Sequence, residues 1–133
     1  MAERPTTNWR TCIAEEAEEL AAGTLAPECA CMAGLFPEEL LTSTDAVFDT
    51  FESEFPGLGE ADEAQIFGVV ERVVLALNAV NEAHGESAYE TDEREQLCEF
   101  IDQSLTEHGV DIVALTARHG LGRYQITDKW RKW

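Results

Sequence analysis

The sequence predicts an all-α, single-domain bundle of about six helices packed around one long central helix, residues 62–84. Three observations lead there. Apolar residues recur at helical spacing, the breaks between periodic stretches fall at Gly and Pro, and no pair of alternating stretches reads as two strands. At 100° per residue, Ile66, Phe67, Val69, Val70, Val73, Val74, Leu77 and Val80 share one broad face. Glu71, Arg72, Asn78 and Glu82 lie largely opposite. Leu75 falls on the polar side, which predicts contact from a second direction. The β-branched residues would also suit a strand, but the pattern runs without a turn signal until Gly85. At 1.5 Å per residue the helix would be about 34 Å long, enough to span a small domain.

The other elements follow in chain order. Residues 1–7 read as a frayed end. Asn8 is a candidate cap for a helix with Trp9, Ile13, Ala17 and Leu20 in one stripe, stopped by Gly23. Pro27 is placed to start a short helix through Ala30, Met32 and Leu35, and Pro37 to Leu41 would add one turn. Ser43, Thr44 or Asp45 then caps a helix carrying Val47, Phe48, Phe51 and Phe55, which Pro56-Gly57 ends. After the central helix, Thr91 or Asp92 caps one with Leu97, Cys98, Phe100, Ile101 and Leu105. Asp111 caps the next, with Val110 and Leu115 at the two staple positions. The tail, 123–133, is expected to pack on the core, with a final turn capped by Thr127 as the other form.

Charge is the unusual feature. The 133 residues hold 27 Asp and Glu against 9 Lys and Arg, a net charge of −18. Fifteen carboxylates and no cation lie between Arg10 and Arg72, whereas Arg118, Arg123, Lys129, Arg131 and Lys132 crowd the end. Such a body repels nucleic acid and anionic membrane, and suits a basic partner, a cation or plain solubility. No stretch of eighteen apolar residues is present, so no membrane span is expected, and an N-terminus without an apolar h-region predicts a cytoplasmic protein.

Each of the three histidines precedes a glycine, at His84-Gly85, His108-Gly109 and His119-Gly120. That is the pattern of helix C-termini, with Gly in the left-handed position and a basic side chain at the negative end of the dipole. The cysteines are Cys12, Cys29, Cys31 and Cys98. They lack Cys-x-x-Cys spacing, and two residues apart on a helix Cys29 and Cys31 would point in opposed directions. They read as buried thiols.

Two sets of carboxylates stand out. Asp45, Asp49 and Glu52 recur at spacings of four and three, forming a ridge opposite Phe48, Phe51 and Phe55; Glu60, Asp62 and Glu63 extend it. Such a ridge can steer a basic protein onto itself. The second set is built on Glu-x-x-Glu spacing, which places two carboxylates on one helix face as Mg²⁺ sites require. Over six residues, Glu15-Glu16-Ala17-Glu18-Glu19-Leu20 resembles the first metal motif of the all-α nucleotide pyrophosphatases. That resemblance implies Mg²⁺ held by Glu15, Glu16 and Glu19, with Glu99 and Asp102 as the family's second Glu-x-x-Asp pair, here far downstream.

The functional expectation is a protein that acts by binding and needs no cofactor. It would be an inhibitor or immunity-type module, masking a basic partner such as a nuclease, toxin or nucleic-acid-binding enzyme. A Mg²⁺-dependent nucleotide pyrophosphohydrolase is the first alternative. The second is an interaction module whose homodimer buries Trp130 and Trp133, since Trp and Arg dominate interface energetics. The chain would then be a monomer or a homodimer.

Overall fold

The computed structural model describes residues 2–27, 36–86 and 88–133. These residues are all-helical, with no strand among them. Five α-helices occur among them: α1 (Pro5–Ala22), α2 (Glu38–Ser53), α3 (Glu63–Ala83), α4 (Thr91–Glu107) and α5 (Ile112–Arg118). Short 3-10 turns at Leu58–Glu60 and Arg123–Gln125 complete the order. The helix expected after Pro27, together with Cys29 and Cys31, lies outside the described residues.

The boundaries of α3 match its sequence signals. The Asp62 carboxylate accepts from the Gln65 N–H, and the Gln65 side chain accepts from the Asp62 N–H, a reciprocal capping box. His84, His108 and His119 are the C-cap residues of α3, α4 and α5, and Gly85 and Gly120 follow with positive φ, as does Gly109. One local rule therefore accounts for all three histidine positions. Asp111 caps α5 by accepting from the Ala114 N–H.

Two helices begin earlier than their polar residues suggest. α1 starts at Pro5, not after Asn8, because proline's fixed φ and missing N–H suit the first helical position. Pro5 and Thr6 are buried, so the N-terminal segment is packed, not frayed. α2 starts at Glu38 after Pro37, so the expected extra turn is its first turn. Glu38 and Glu39 there face the positive end of the helix dipole. Thr44, a candidate cap, is instead inside α2 and buried, its hydroxyl donating to the Leu40 carbonyl and paired with the Tyr89 hydroxyl at 2.6 Å.

The core is one cluster centred on Phe48, Phe51, Val70, Val74, Leu77, Leu97, Ile101 and Leu105, all at most 1 % exposed. Phe100 links α4 to α2, with ring centroids 4.6 Å from Phe48 and 6.0 Å from Phe51. The closest helix pairs are α2 with α3, α1 with α4, α1 with α2, and α4 with α5. Only α2 among these helices pairs closely with α3, so the pairings do not describe all the helices arranged around α3. Periodicity reports how much of a helix is apolar, not which neighbour covers it. Leu75 illustrates this, being 46 % exposed where a second contact was expected.

The tail is tied to α3 by one side chain. Asn78 donates from Nδ2 to the Trp130 carbonyl at 2.8 Å and accepts from the Lys132 N–H at 2.9 Å. Trp133 is buried, edge-on to Tyr89 at 6.1 Å. No helix is long and apolar enough to cross a membrane among the described residues.

Candidate functional site

The ridge Asp45, Asp49 and Glu52 forms on α2 as its spacing predicts, but the chain's own arginines sit on it. Arg4 pairs with Glu52, with Asp49 at 2.8 Å and with Asp45 at 3.5 Å. It also stands 5.8 Å over the Phe48 ring. Arg10 reaches Asp45 at 2.6 Å and Glu38 at 3.4 Å, and the Thr6 hydroxyl donates to Asp45. Asp49 alone of the three remains largely open, at 71 % side-chain exposure. In sequence Arg4 and Arg10 lie far from the ridge; the antiparallel course of the helices brings them over it.

The Asp45 carboxyl feels opposed effects. Burial raises its pKa, but the hydrogen bonds from Thr6 and Arg10 and the charges of Arg10 and Arg4 outweigh it, holding the carboxyl below its ordinary range. A folded-state pKa below the unfolded value gives stability that is present above the unfolded pKa. It is lost as pH falls through the folded one. Wild-type Tm is therefore expected to fall below about pH 4, the ordinary Asp range. Asp45→Asn should be less stable at pH 7 yet show a flatter acid limb in a pH series of thermal melts. Equal slopes in the two proteins would contradict this assignment.

The extension of the ridge is also engaged. Asp62 is the α3 cap, and Glu63 binds His119 Nε2 at 2.8 Å as well as Arg118. The His119 bond, then the Arg118 bond, holds the Glu63 carboxyl below its ordinary range. Glu60 is exposed and lines an open groove with Glu54, Asp62 and Arg72. Within it Arg72 pairs with Glu54 Oε1 at 2.6 Å, while Glu54 Oε2 is buried without a hydrogen bond.

The five carboxylates of the Mg²⁺ alternative are not brought together. Asp102 is buried and held by Arg123, with Oδ1 2.7 Å and Oδ2 2.9 Å from guanidinium nitrogens. Glu99 lies beside Arg4 and Asn8, whereas Glu15, Glu16 and Glu19 are two or more turns further along α1, about 10 Å or more away. Among the described residues no three His, Cys, Asp or Glu side chains are grouped to hold a metal ion. Nor does the structure present both tail indoles as surface anchors. Trp130 is half-buried and Trp133 is 7 % exposed. Cys12 and Cys98 are half-buried free thiols, Cys98 lying 3.1 Å from an Arg131 nitrogen.

An uncompensated acidic surface lies elsewhere. α1 and α4 are antiparallel: the Ala2 N–H donates to Glu107, Trp9 Nε1 donates to Gln96, and Cys12 faces the start of α4 across a cleft. α4 begins there, so α1 continues past it with nothing from α4 beside it. Ala17 and Leu20, expected in a buried stripe, are consequently exposed. Glu15, Glu18 and Glu19 lie on this projecting half at spacings of three and four, on one face, and all are exposed. Asp92 and Glu95 are exposed at the adjoining start of α4. None of these five forms an ion pair among the described residues. Arg94, the cation nearest in sequence, is bonded to the Thr91 hydroxyl at 3.1 Å.

The Glu-rich repeat in α1 was visible in the sequence, but as a metal motif. Its proximity to the α4 N-terminus could not be read there, because it depends on which helices pair. No protein family model matches the chain, and neither a curated protein nor a solved structure matches it.

Proposed function

We propose that this chain is an acidic binding protein that masks a basic surface of another protein, as an inhibitor or immunity-type module does, in the cytoplasm. The observation that carries the reading is the acidic pole of Glu15, Glu18, Glu19, Asp92 and Glu95, exposed and without ion-pair partners among the described residues. The net charge of −18 supplies the long-range field, and the pole gives that field a direction. The ridge on α2 becomes a secondary surface, since Arg4 and Arg10 already neutralise much of it. An acidic pole of this kind steers a cationic partner into contact and repels nucleic acid.

Capture from a lysate at low salt tests this, using wild-type protein and the Glu15→Lys/Glu18→Lys/Glu19→Lys variant side by side. Wild type is expected to retain a basic protein that a moderate salt step releases, because exposed charges are screened within about 10 Å at 0.1 M salt. The variant is expected to retain at least tenfold less. Equal retention by the two proteins would refute the pole as the binding surface.

A further inference from the structure

A cleft of about 250 Å³ runs between α2 and α3. Val47 and Phe51 wall it on α2, Val73 and Ala76 on α3. Phe51 is 1 % exposed and Val73 3 %, so both walls are anchored in the core. Glu54 and Arg72 also line this cleft, and the same two residues line the wider groove of Glu60 and Asp62. They therefore mark where an apolar cleft joins an acidic groove. The pair itself is incomplete. Arg72 Nε donates to Glu54 Oε1 at 2.6 Å, but Glu54 Oε2 is buried with no hydrogen-bond partner among the described residues. A carboxylate oxygen withdrawn from water without a donor is costly. The Arg72 side chain is 58 % exposed against 23 % for Glu54. A guanidinium that open to water leaves its carboxylate at small cost.

We propose that the cleft binds a small primary alkylamine. Its methylenes lie between Val47, Phe51, Val73 and Ala76, and its ammonium supplies the donor that Glu54 Oε2 lacks. Arg72 turns toward solvent as the amine enters. Three observations select that chemistry. Apolar walls take hydrocarbon and reject a metal ion that keeps its water. One unpaired oxygen suits a compact ammonium, whereas a guanidinium fork is satisfied by both oxygens of a carboxylate. Glu54, Glu60 and Asp62 at the join, and the net charge of −18, disfavour an anion. The site lies on α2 and α3 and does not rest on the acidic pole of α1 and α4.

The probe is n-butylamine, titrated into the whole chain at pH 7 and constant ionic strength while the Val47 and Val73 methyl signals are followed by NMR. n-Butanol keeps the chain without the charge, and methylamine keeps the charge without the chain. A saturable shift with butylamine is expected, with at least tenfold weaker binding of both controls. Glu54→Gln should raise the Kd for butylamine at least tenfold while circular dichroism shows the helices intact. Ala46→Leu narrows the cleft from an exposed position and leaves Glu54 in place, and it should raise the Kd as much. Arg72→Met removes the internal competitor and should lower the Kd about two- to fivefold, the worth of an exposed ion pair. No saturable shift, equal binding of butanol or methylamine, or an unchanged Kd in Glu54→Gln and Ala46→Leu would overturn the proposal. A Kd for Nα-acetyl-lysine amide tenfold below that for butylamine would overturn the free amine as occupant and assign the cleft to a lysine of a partner protein.

Discussion

Phe48→Ala is expected to be the most damaging single truncation in the chain, costing about 3–5 kcal/mol. Phe48 is fully buried. Its ring lies on Phe100 of α4 on one side and beneath the Arg4 guanidinium on the other, so it joins α2 to α4 and to the start of α1. Removing it leaves a void between α2 and α4 and withdraws the ring from beneath Arg4, which also pairs with Glu52. The loss would therefore combine transfer, cavity and ion-pair contributions. Urea unfolding checks it: the midpoint should drop sharply with little change in m-value, and Phe48→Leu should recover most of the loss. A change below about 1 kcal/mol, far under the usual cost of emptying a core site, would mean that α2 and α4 do not share this contact.

Gly59→Ala is expected to cost about 1–3 kcal/mol, although Gly59 is exposed and outside any α-helix. A Cβ built there would stand 2.8 Å from the backbone carbonyl oxygen of His108, and 3.4 Å from Gly109 Cα. The two connections, before α3 and after α4, meet backbone to backbone at this point. Neither can yield cheaply, because Gly109 holds φ at +89° and His108 is fixed by its ring, Nδ1 lying 2.8 Å from the Ser104 carbonyl and the ring 4.3 Å from Phe55. Thermal melts should show a clearly lowered Tm for Gly59→Ala and almost none for alanine at the nearby exposed Pro56. Equal Tm values for Gly59→Ala and wild type would show that the two connections are not in contact.

The helical class, the ends of α3 and the His-Gly caps were legible in the sequence because they depend on local rules: apolar period, capping residues and left-handed glycine. The start of α1 was legible too, in Pro5, but Asn8 offered a competing polar cap and drew the boundary inward. What periodicity could not supply was pairing. Arg4 neutralises Asp49 and Glu52, more than forty residues away, and nothing local to α2 announces it. The same limit applies to Ala17 and Leu20, whose apolar stripe outruns the helix beside it. The cleft facing Cys12 likewise arises from the meeting of α1 and the start of α4.

Thus the ridge that looked most open in sequence is the more neutralised surface, and Glu15, Glu18 and Glu19 on α1 are the carboxylates without an ion pair among the described residues. The most direct test of that assignment is the association rate with the captured basic protein, measured by stopped flow across a range of salt concentrations. Wild type should associate fast at low salt and slow steeply as salt rises. Reversal at Glu15, Glu18 and Glu19 should slow low-salt association at least tenfold, while Asp49→Lys on the α2 ridge should stay within about twofold of wild type, as expected for a charge already paired with Arg4. The opposite pattern, with Asp49→Lys slow and the α1 variant unchanged, would contradict the account and return the contact surface to α2.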